Sequence, residues 1–230
     1  MNAVTRLVSS LGNAVWRPFL RRRLGRVVLE EVDGVPLLVL PEVFNPAVYR
    51  TGTLLARAVA SWTPPEQTRS EAIRVLDLGT GSGVGAVFAA RRGFQAVAVD
   101  VNPQAVRCAR INALLHCQEE RIDVRQGDLF SPVAGESFDL VLFNPPFFRG
   151  EPVSDLDRAW RGTDVLERFA AQLPRALADQ GTALLCLSTD GDGEALLGAL
   201  RQGGFGIETA TQRDFGNEVV TVHAVQRGGK

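Results

Sequence analysis

Ile73-Arg74-Val75-Leu76-Asp77-Leu78-Gly79-Thr80-Gly81-Ser82-Gly83-Val84-Gly85-Ala86 changes character twice within a few residues. Ile73 to Leu78 is short and mostly apolar, which predicts a buried strand. Gly79, Gly81 and Gly83 predict a tight loop in which backbone approaches a ligand closely. Val84 to Arg92 has the length and spacing of a helix. A helix that opens on such a loop offers unpaired N–H groups and a partial positive charge to an anionic group such as a carboxylate. Asp77, just ahead of the loop, is expected either to orient it by accepting backbone N–H groups or to contact the ligand. Working outward, Phe94 to Val99 predicts a second strand that ends on Asp100, where a carboxylate can accept hydrogen bonds from both hydroxyls of a ribose. The spacing suits a nucleoside-bearing cofactor. It does not choose among them, because Gly81-x-Gly83-x-x-Ala86 also satisfies the dinucleotide fingerprint.

Two further strand ends narrow the choice. Gly127-Asp128-Leu129 follows a strand predicted over Ile122 to Gln126, and Asn144-Pro145-Pro146-Phe147 follows one over Phe138 to Phe143. The two prolines fix their own φ and push Asn144 and Pro145 into extended geometry, so this tetrapeptide is stiff. A stiff loop holds acceptors in place before substrate arrives. The side-chain oxygen of Asn144 and the Pro145 carbonyl can each take one N–H of an amide or exocyclic amine, with the Phe147 ring covering the planar group. Such a clamp fits methyl transfer onto a planar nitrogen; the plain alternative is a strand-to-loop turn started by Asn-Pro. In open α/β sheets ligands sit at the carboxyl ends of the strands, and Gly79, Asp100, Asp128 and Asn144 are all expected there.

The order Val75 to Gly83, Asp100, Asp128 and Asn144-Pro145-Pro146-Phe147 resembles the class I S-adenosylmethionine-dependent methyltransferases of the HemK-like, small methyltransferase domain group, over about Pro41 to Val225. That resemblance implies a Rossmann-like α/β fold with a seven-stranded, mostly parallel sheet, an antiparallel C-terminal hairpin and helices on both faces. It implies S-adenosyl-L-methionine as cofactor, with Gly79, Thr80, Gly81, Ser82 and Gly83 along the methionine moiety, Asp100 on the ribose, Asp128 and Leu129 beside the adenine, and Asn144 facing both cofactor and acceptor. The acceptor implied is a glutamine side chain of a release factor or an exocyclic base amine; a small-molecule amine is also open. Asp157 to Gly162 is similar to the loop that follows the motif in glutamine methylases. Phe147 stands where those enzymes usually carry tyrosine, and residues 1–40 offer no separate helical domain of the kind bacterial release-factor methylases use to grip their substrate.

Hydrophobic residues at 45 % and charged residues at 22 % of 230 positions are globular values. No apolar run approaches the length needed to cross a bilayer. Cys108, Cys117 and Cys186 have no metal-binding spacing, and His116 and His223 lie far apart in sequence, so no metal site is expected. The cysteines are expected to be reduced and buried in a cytoplasmic protein. A nicotinamide-dependent oxidoreductase would need a catalytic pair such as tyrosine and lysine, but Tyr49 is the single tyrosine and Lys230 the single lysine. Charge is uneven: residues 1–29 hold Arg6, Arg17, Arg21, Arg22, Arg23 and Arg26 and no acid, and subtracting this +6 from the overall −1 leaves −7 for the rest. Val4, Leu7, Val8, Leu11, Val15, Phe19 and Leu20 give that stretch a helix-like apolar face. Three roles fit it: a helix docked on the catalytic domain, a contact to RNA or an acidic partner, and an arginine-rich organellar targeting peptide.

Arg26 to Leu40 alternates around Asp33-Gly34, which predicts a hairpin. With the basic stretch it forms an extension over residues 1–40, ahead of a catalytic domain over residues 41–230. Pro46 to Ser61 predicts a helix whose start, Tyr49 to Thr53, either touches the cofactor or only begins the helix. Asn102-Pro103 predicts the start of a helix that runs to about Leu115. Helices are expected near Asp164 to Leu177 and Gly193 to Leu200, with strands near Ala183 to Ser188, Gly206 to Gln212 and Glu218 to Val225. Phe148 to Trp160 is expected to be a lid over the acceptor or an ordinary surface connection.

Overall fold

The computed structural model describes residues 25–66, 72–154 and 156–228. The apolar, arginine-rich stretch read above as a helix lies mostly outside the described residues. Within them, β1 (Val28–Val32) and β2 (Val35–Val39) form the expected antiparallel hairpin. Asp33 and Gly34 both have positive φ, 48° and 78°, which matches the turn twist to the twist of the strands. Val32, Val35 and Leu37 lie in the main core, and Asn112 ties the hairpin down by accepting from Leu38 N and donating to Leu38 O.

The helix expected from Pro46 begins instead at Arg50, as α1 (Arg50–Ser61). The Asn45 side chain explains the delay. Its Oδ1 accepts from Ala47 N and Val48 N at 3.0 and 3.1 Å, and its Nδ2 donates to buried Glu30 at 2.8 Å, which holds the chain in a turn for one more step.

The alternation then runs as β3 (Arg74–Leu78), α2 (Val84–Arg91), β4 (Gln95–Asp100), α3 (Pro103–Leu115), β5 (Ile122–Gln126) and β6 (Phe138–Phe143). Asn102 caps α3 by accepting from Gln104 N, with Pro103 at the first helical position. After a small parallel pair, β7 (Phe148–Arg149) with β8 (Arg161–Gly162), come α4 (Val165–Ala176), β9 (Leu177–Ser188), α5 (Gly193–Gln202), β10 (Phe205–Asp214) and β11 (Val219–Arg227). β9 starts earlier than the apolar run suggests, directly at the end of α4, with a register shift between Phe138 and Leu140 of its partner.

Seven strands form one sheet in the order β10-β11-β9-β6-β3-β4-β5. β3 lies between β4 and β6, all parallel, while β11 is antiparallel to both β9 and β10 and sits between them. The period of two assigns each strand residue to a face. Val75, Ala96, Ala98, Leu140, Leu142, Leu184 and Cys186 face a core made with α1, α2 and α3, whereas Leu76, Val97, Val99, Val141, Phe143, Leu185 and Leu187 face one made with α4 and α5. Chain order reverses on either side of β3, which opens a crevice at the carboxyl ends of β3 and β6. Among the described residues, no helix is long and apolar enough to cross a membrane.

Candidate active site

A cleft of about 250 Å³ lies at those strand ends. Gly79 and Gly81 enter it from the loop after β3, Asp100 from β4, Asp128 and Leu129 from the turn after β5, and Asn144 from the end of β6. A smaller recess, about 30 Å³, shares Gly79, Gly81 and Asn144 with it and adds Asp77, Thr80, Ser82 and Gly52. The Phe44 ring borders both. Of the residues singled out from sequence, Gly83, Pro145 and Phe147 line neither cavity.

The glycine loop is fixed from beneath. Gly79, Gly81 and Gly83 have φ of 64°, 55° and 83°, in the left-handed region that side chains other than glycine rarely take. Asp77 is 4 % exposed, and its Oδ2 accepts from the Thr80 hydroxyl at 2.6 Å and from Ala86 N at 2.9 Å. A Cβ on Gly85 would stand 2.8 Å from that carboxyl, so loop, helix and acid form one packed unit. Burial pushes the Asp77 carboxyl up to about 6, against the pull of those two hydrogen bonds, and the nearby Asp100 charge adds to the rise. Asp77 thus orients the loop, and it also borders the smaller recess.

Asp100 reaches across to the same loop, accepting from Gly81 N at 2.8 Å through one oxygen and from Asn102 N at 2.9 Å through the other. Burial raises its carboxyl as well. With Val101 N as a third backbone donor, the carboxylate still keeps acceptor capacity for a further donor such as a ribose hydroxyl. Leu129 follows with φ of 47°, a strained conformation for a branched side chain, and stands with Val99, Val101 and Phe143 as an apolar wall for a flat ring. Gly79 leaves open space where a Cβ would be. The donor and acceptor set and the apolar wall together fit S-adenosylmethionine.

Asn144 Nδ2 donates to Thr51 Oγ1 at 3.2 Å, and its Oδ1 is buried with no partner. Phe147, expected to cover the acceptor, turns elsewhere: it packs against Gly191 and borders a third, minor recess with Phe148, Arg149 and Leu166. Its backbone carbonyl accepts from Asp192 N. The aromatic residue that shares both cavities with Asn144 is Phe44, stacked on Tyr49 at 4.9 Å and tilted against Trp160 at 5.2 Å, while Tyr49 and Trp160 meet edge to face at 4.4 Å. Residues 148–162 are joined at their base by the β7–β8 pair, with Phe148 N donating to Trp160 O, and Glu151, Pro152, Arg158 and Ala159 border the cleft.

Phe44 and Arg168 lie outside the residues singled out from sequence. Thr51 falls in the stretch Tyr49 to Thr53, expected either to touch the cofactor or only to begin the helix, and Phe44-Asn45-Pro46 repeats, after β2, the strand-end Asn-Pro signal seen at Asn144. Arg168 carries no local signal. Cys108 and Cys186 are buried, and burial pushes the Cys108 thiol up to about 11 and the Cys186 thiol further; Cys117, expected to be buried, is exposed at the end of α3.

The model of the family described as "Methyltransferase small domain" matches residues 39–202, from the end of the hairpin to α5. The chain belongs to that family. It is an S-adenosylmethionine-dependent methyltransferase. Among curated relatives of this small methyltransferase, the release factor glutamine methyltransferase of Escherichia coli K12 is 33 % identical over 222 residues, 88 % of this chain and 76 % of that one. The Mtq2–Trm112 complex of E. cuniculi, responsible for methylation of the eRF1 translation termination factor, shares the fold with a TM-score of 0.56 at 22 % identity, covering 81 % of this chain and 99 % of that chain. The T. thermophilus 16S rRNA N2 G1207 methyltransferase, solved with AdoMet and guanosine, has a TM-score of 0.60 at 23 % identity over 88 % of this chain and 50 % of that one.

Proposed function

We propose that this methyltransferase acts on the side-chain amide nitrogen of a glutamine in a protein, as its relative named release factor glutamine methyltransferase does by its name. The observation that carries the reading is the buried, unpartnered Oδ1 of Asn144. An unsatisfied buried carbonyl costs about 1–3 kcal/mol, a cost removed when an acceptor N–H fills it. Because Nδ2 is already committed to Thr51, the carboxamide presents its oxygen and not its nitrogen to whatever enters.

When bound, S-adenosylmethionine supplies a methyl group already activated by its sulfonium. The protein's part is placement. Asp100 and the apolar wall at Leu129 hold the nucleoside, and the glycine loop presents backbone to the methionine moiety. Asn144 Oδ1 accepts one N–H of the glutamine amide and fixes its plane, and its dipole favours the positive charge that develops on nitrogen. Phe44, braced by Tyr49 and Trp160, covers that plane and keeps water out. The negative charge spread over residues 30–230 disfavours a long phosphate track, and so supports protein over nucleic acid as the acceptor.

The test is radiolabelled methyl transfer to a glutamine-bearing release-factor domain, with RNA and small-molecule fractions in parallel. Label is expected in protein, at glutamine. Asn144→Ala is expected to lower transfer at least about 10²-fold while leaving calorimetric S-adenosylmethionine affinity nearly unchanged. Wild-type turnover by that variant, or label in RNA alone, overturns the proposal.

A further inference from the structure

Three charged side chains at the rim of the cleft form a chain of contacts, and two of them, Arg168 and Asp164, have no role assigned above. Arg168, on α4, places Nη1 2.5 Å from Asp128 Oδ2 and Nη2 3.4 Å from Asp128 Oδ1, and its Nε is 3.0 Å from Asp164 Oδ1. All three residues border the cleft. Asp128 stands on a turn with little freedom: a Cβ on Gly127 would meet Pro132 Cγ at 2.2 Å, and Leu129 beyond it has φ of 47°. The backbone thus sets where Asp128 is, and Arg168 sets which way its carboxylate turns.

The two contacts are unequal. Oδ2 is committed to a short charge-assisted bond, whereas Oδ1 is held loosely and keeps acceptor capacity, and Asp128 lines the same cleft as Leu129, Val101 and Phe143. A carboxylate oxygen at the edge of a flat apolar slot attracts an exocyclic N–H and repels a keto oxygen. Stability gives a poor reason for the pair. Its side chains are 36 % and 53 % exposed, and ion pairs that exposed contribute little to folding.

We infer that Arg168 is a positioning residue for cofactor recognition: it turns the Asp128 carboxylate so that the site reads the exocyclic amine of the bound nucleoside and selects a 6-amino over a 6-oxo purine. Neither the glycine loop nor the strand ends announce this function, because Arg168 lies on α4, far along the chain from the turn it serves.

Calorimetric titration of the full chain with S-adenosylhomocysteine and with S-inosylhomocysteine tests it. Wild type is expected to prefer the adenosyl ligand. Arg168→Met and Asp128→Asn are each expected to weaken the adenosyl ligand about tenfold and bring the two ligands close to parity, while the double variant is no weaker than Asp128→Asn alone. Arg168→Lys, which keeps the charge and loses the fork, is expected to recover part of the preference. An Arg168→Met protein that keeps the wild-type preference, or single losses that simply add in the double variant, overturns the inference. The melting temperature of each variant is read alongside, and a fall in melting temperature with the preference intact assigns the pair a structural role and also overturns it.

Discussion

On the cofactor side of the cleft, Gly79, Asp100 and Asp128 sit at or just past the ends of adjacent strands, and backbone hydrogen bonds fix their neighbours: Gly81 N and Asn102 N to Asp100, Ala86 N to Asp77. On the proposed acceptor side, Phe44, Tyr49, Thr51 and Trp160 come from the segment after β2 and from the stretch between β7 and β8, and ring contacts hold them together with the bonds from Asn144 and Cys186 to Thr51 and from Phe148 N to Trp160 O. The first wall is part of the sheet; the second is packed onto it. A wall built from ladder ends keeps one geometry for one cofactor. A wall built from side chains can be altered residue by residue to suit another acceptor without disturbing the strands beneath.

That contrast is open to direct attack. The largest effect is expected from Asp100→Ala, which removes the proposed ribose acceptor and the anchor of Gly81 together: calorimetric S-adenosylmethionine affinity should fall about 10- to 100-fold, and an unchanged affinity would detach Asp100 from the pocket. Trp160→Ala should act on the other wall alone, raising KM for the proposed glutamine acceptor several-fold, about the worth of one aromatic contact, with cofactor affinity unmoved. Phe147→Ala should move that KM less than Trp160→Ala does; the reverse ranking would return Phe147 to the acceptor wall. The smallest effect concerns Asp77. Its carboxyl titrates near 6 in the folded protein and near 3.8 when unfolded, so between those values the unfolded chain holds fewer protons, and stability should fall as pH rises through the window. Asp77→Asn should flatten that slope in urea midpoints measured from pH 4 to 7, and parallel slopes would show the acid already ionised.

The legibility of each wall follows from its construction. Strand, glycine loop and helix from Ile73 to Arg92, the turn at Asp33-Gly34 and the cap at Asn102-Pro103 are written in neighbouring residues, where period and backbone restriction act locally. Asn144 was legible for the same reason, as a stiff strand end. Its partner was not, because Thr51 lies 93 residues away and only packing brings the two together. The late start of α1 depends on Asn45 meeting Glu30, and the displacement of Phe147 depends on Gly191 leaving room for its ring. Arg168 has no neighbour in sequence that explains it; its meaning appears only when α4 packs beside the turn after β5.

β11 has a consequence for how the enzyme is made. Because this strand is clasped between β9 and β10, paired along both edges, the sheet stays unfinished until residues 219–227 have left the ribosome, long after every residue of the cleft has emerged. A nascent chain carries its complete catalytic inventory for some time before β9 and β10 have the partner that joins them. Competence to transfer a methyl group should therefore switch on late and all at once in synthesis, not grow with chain length.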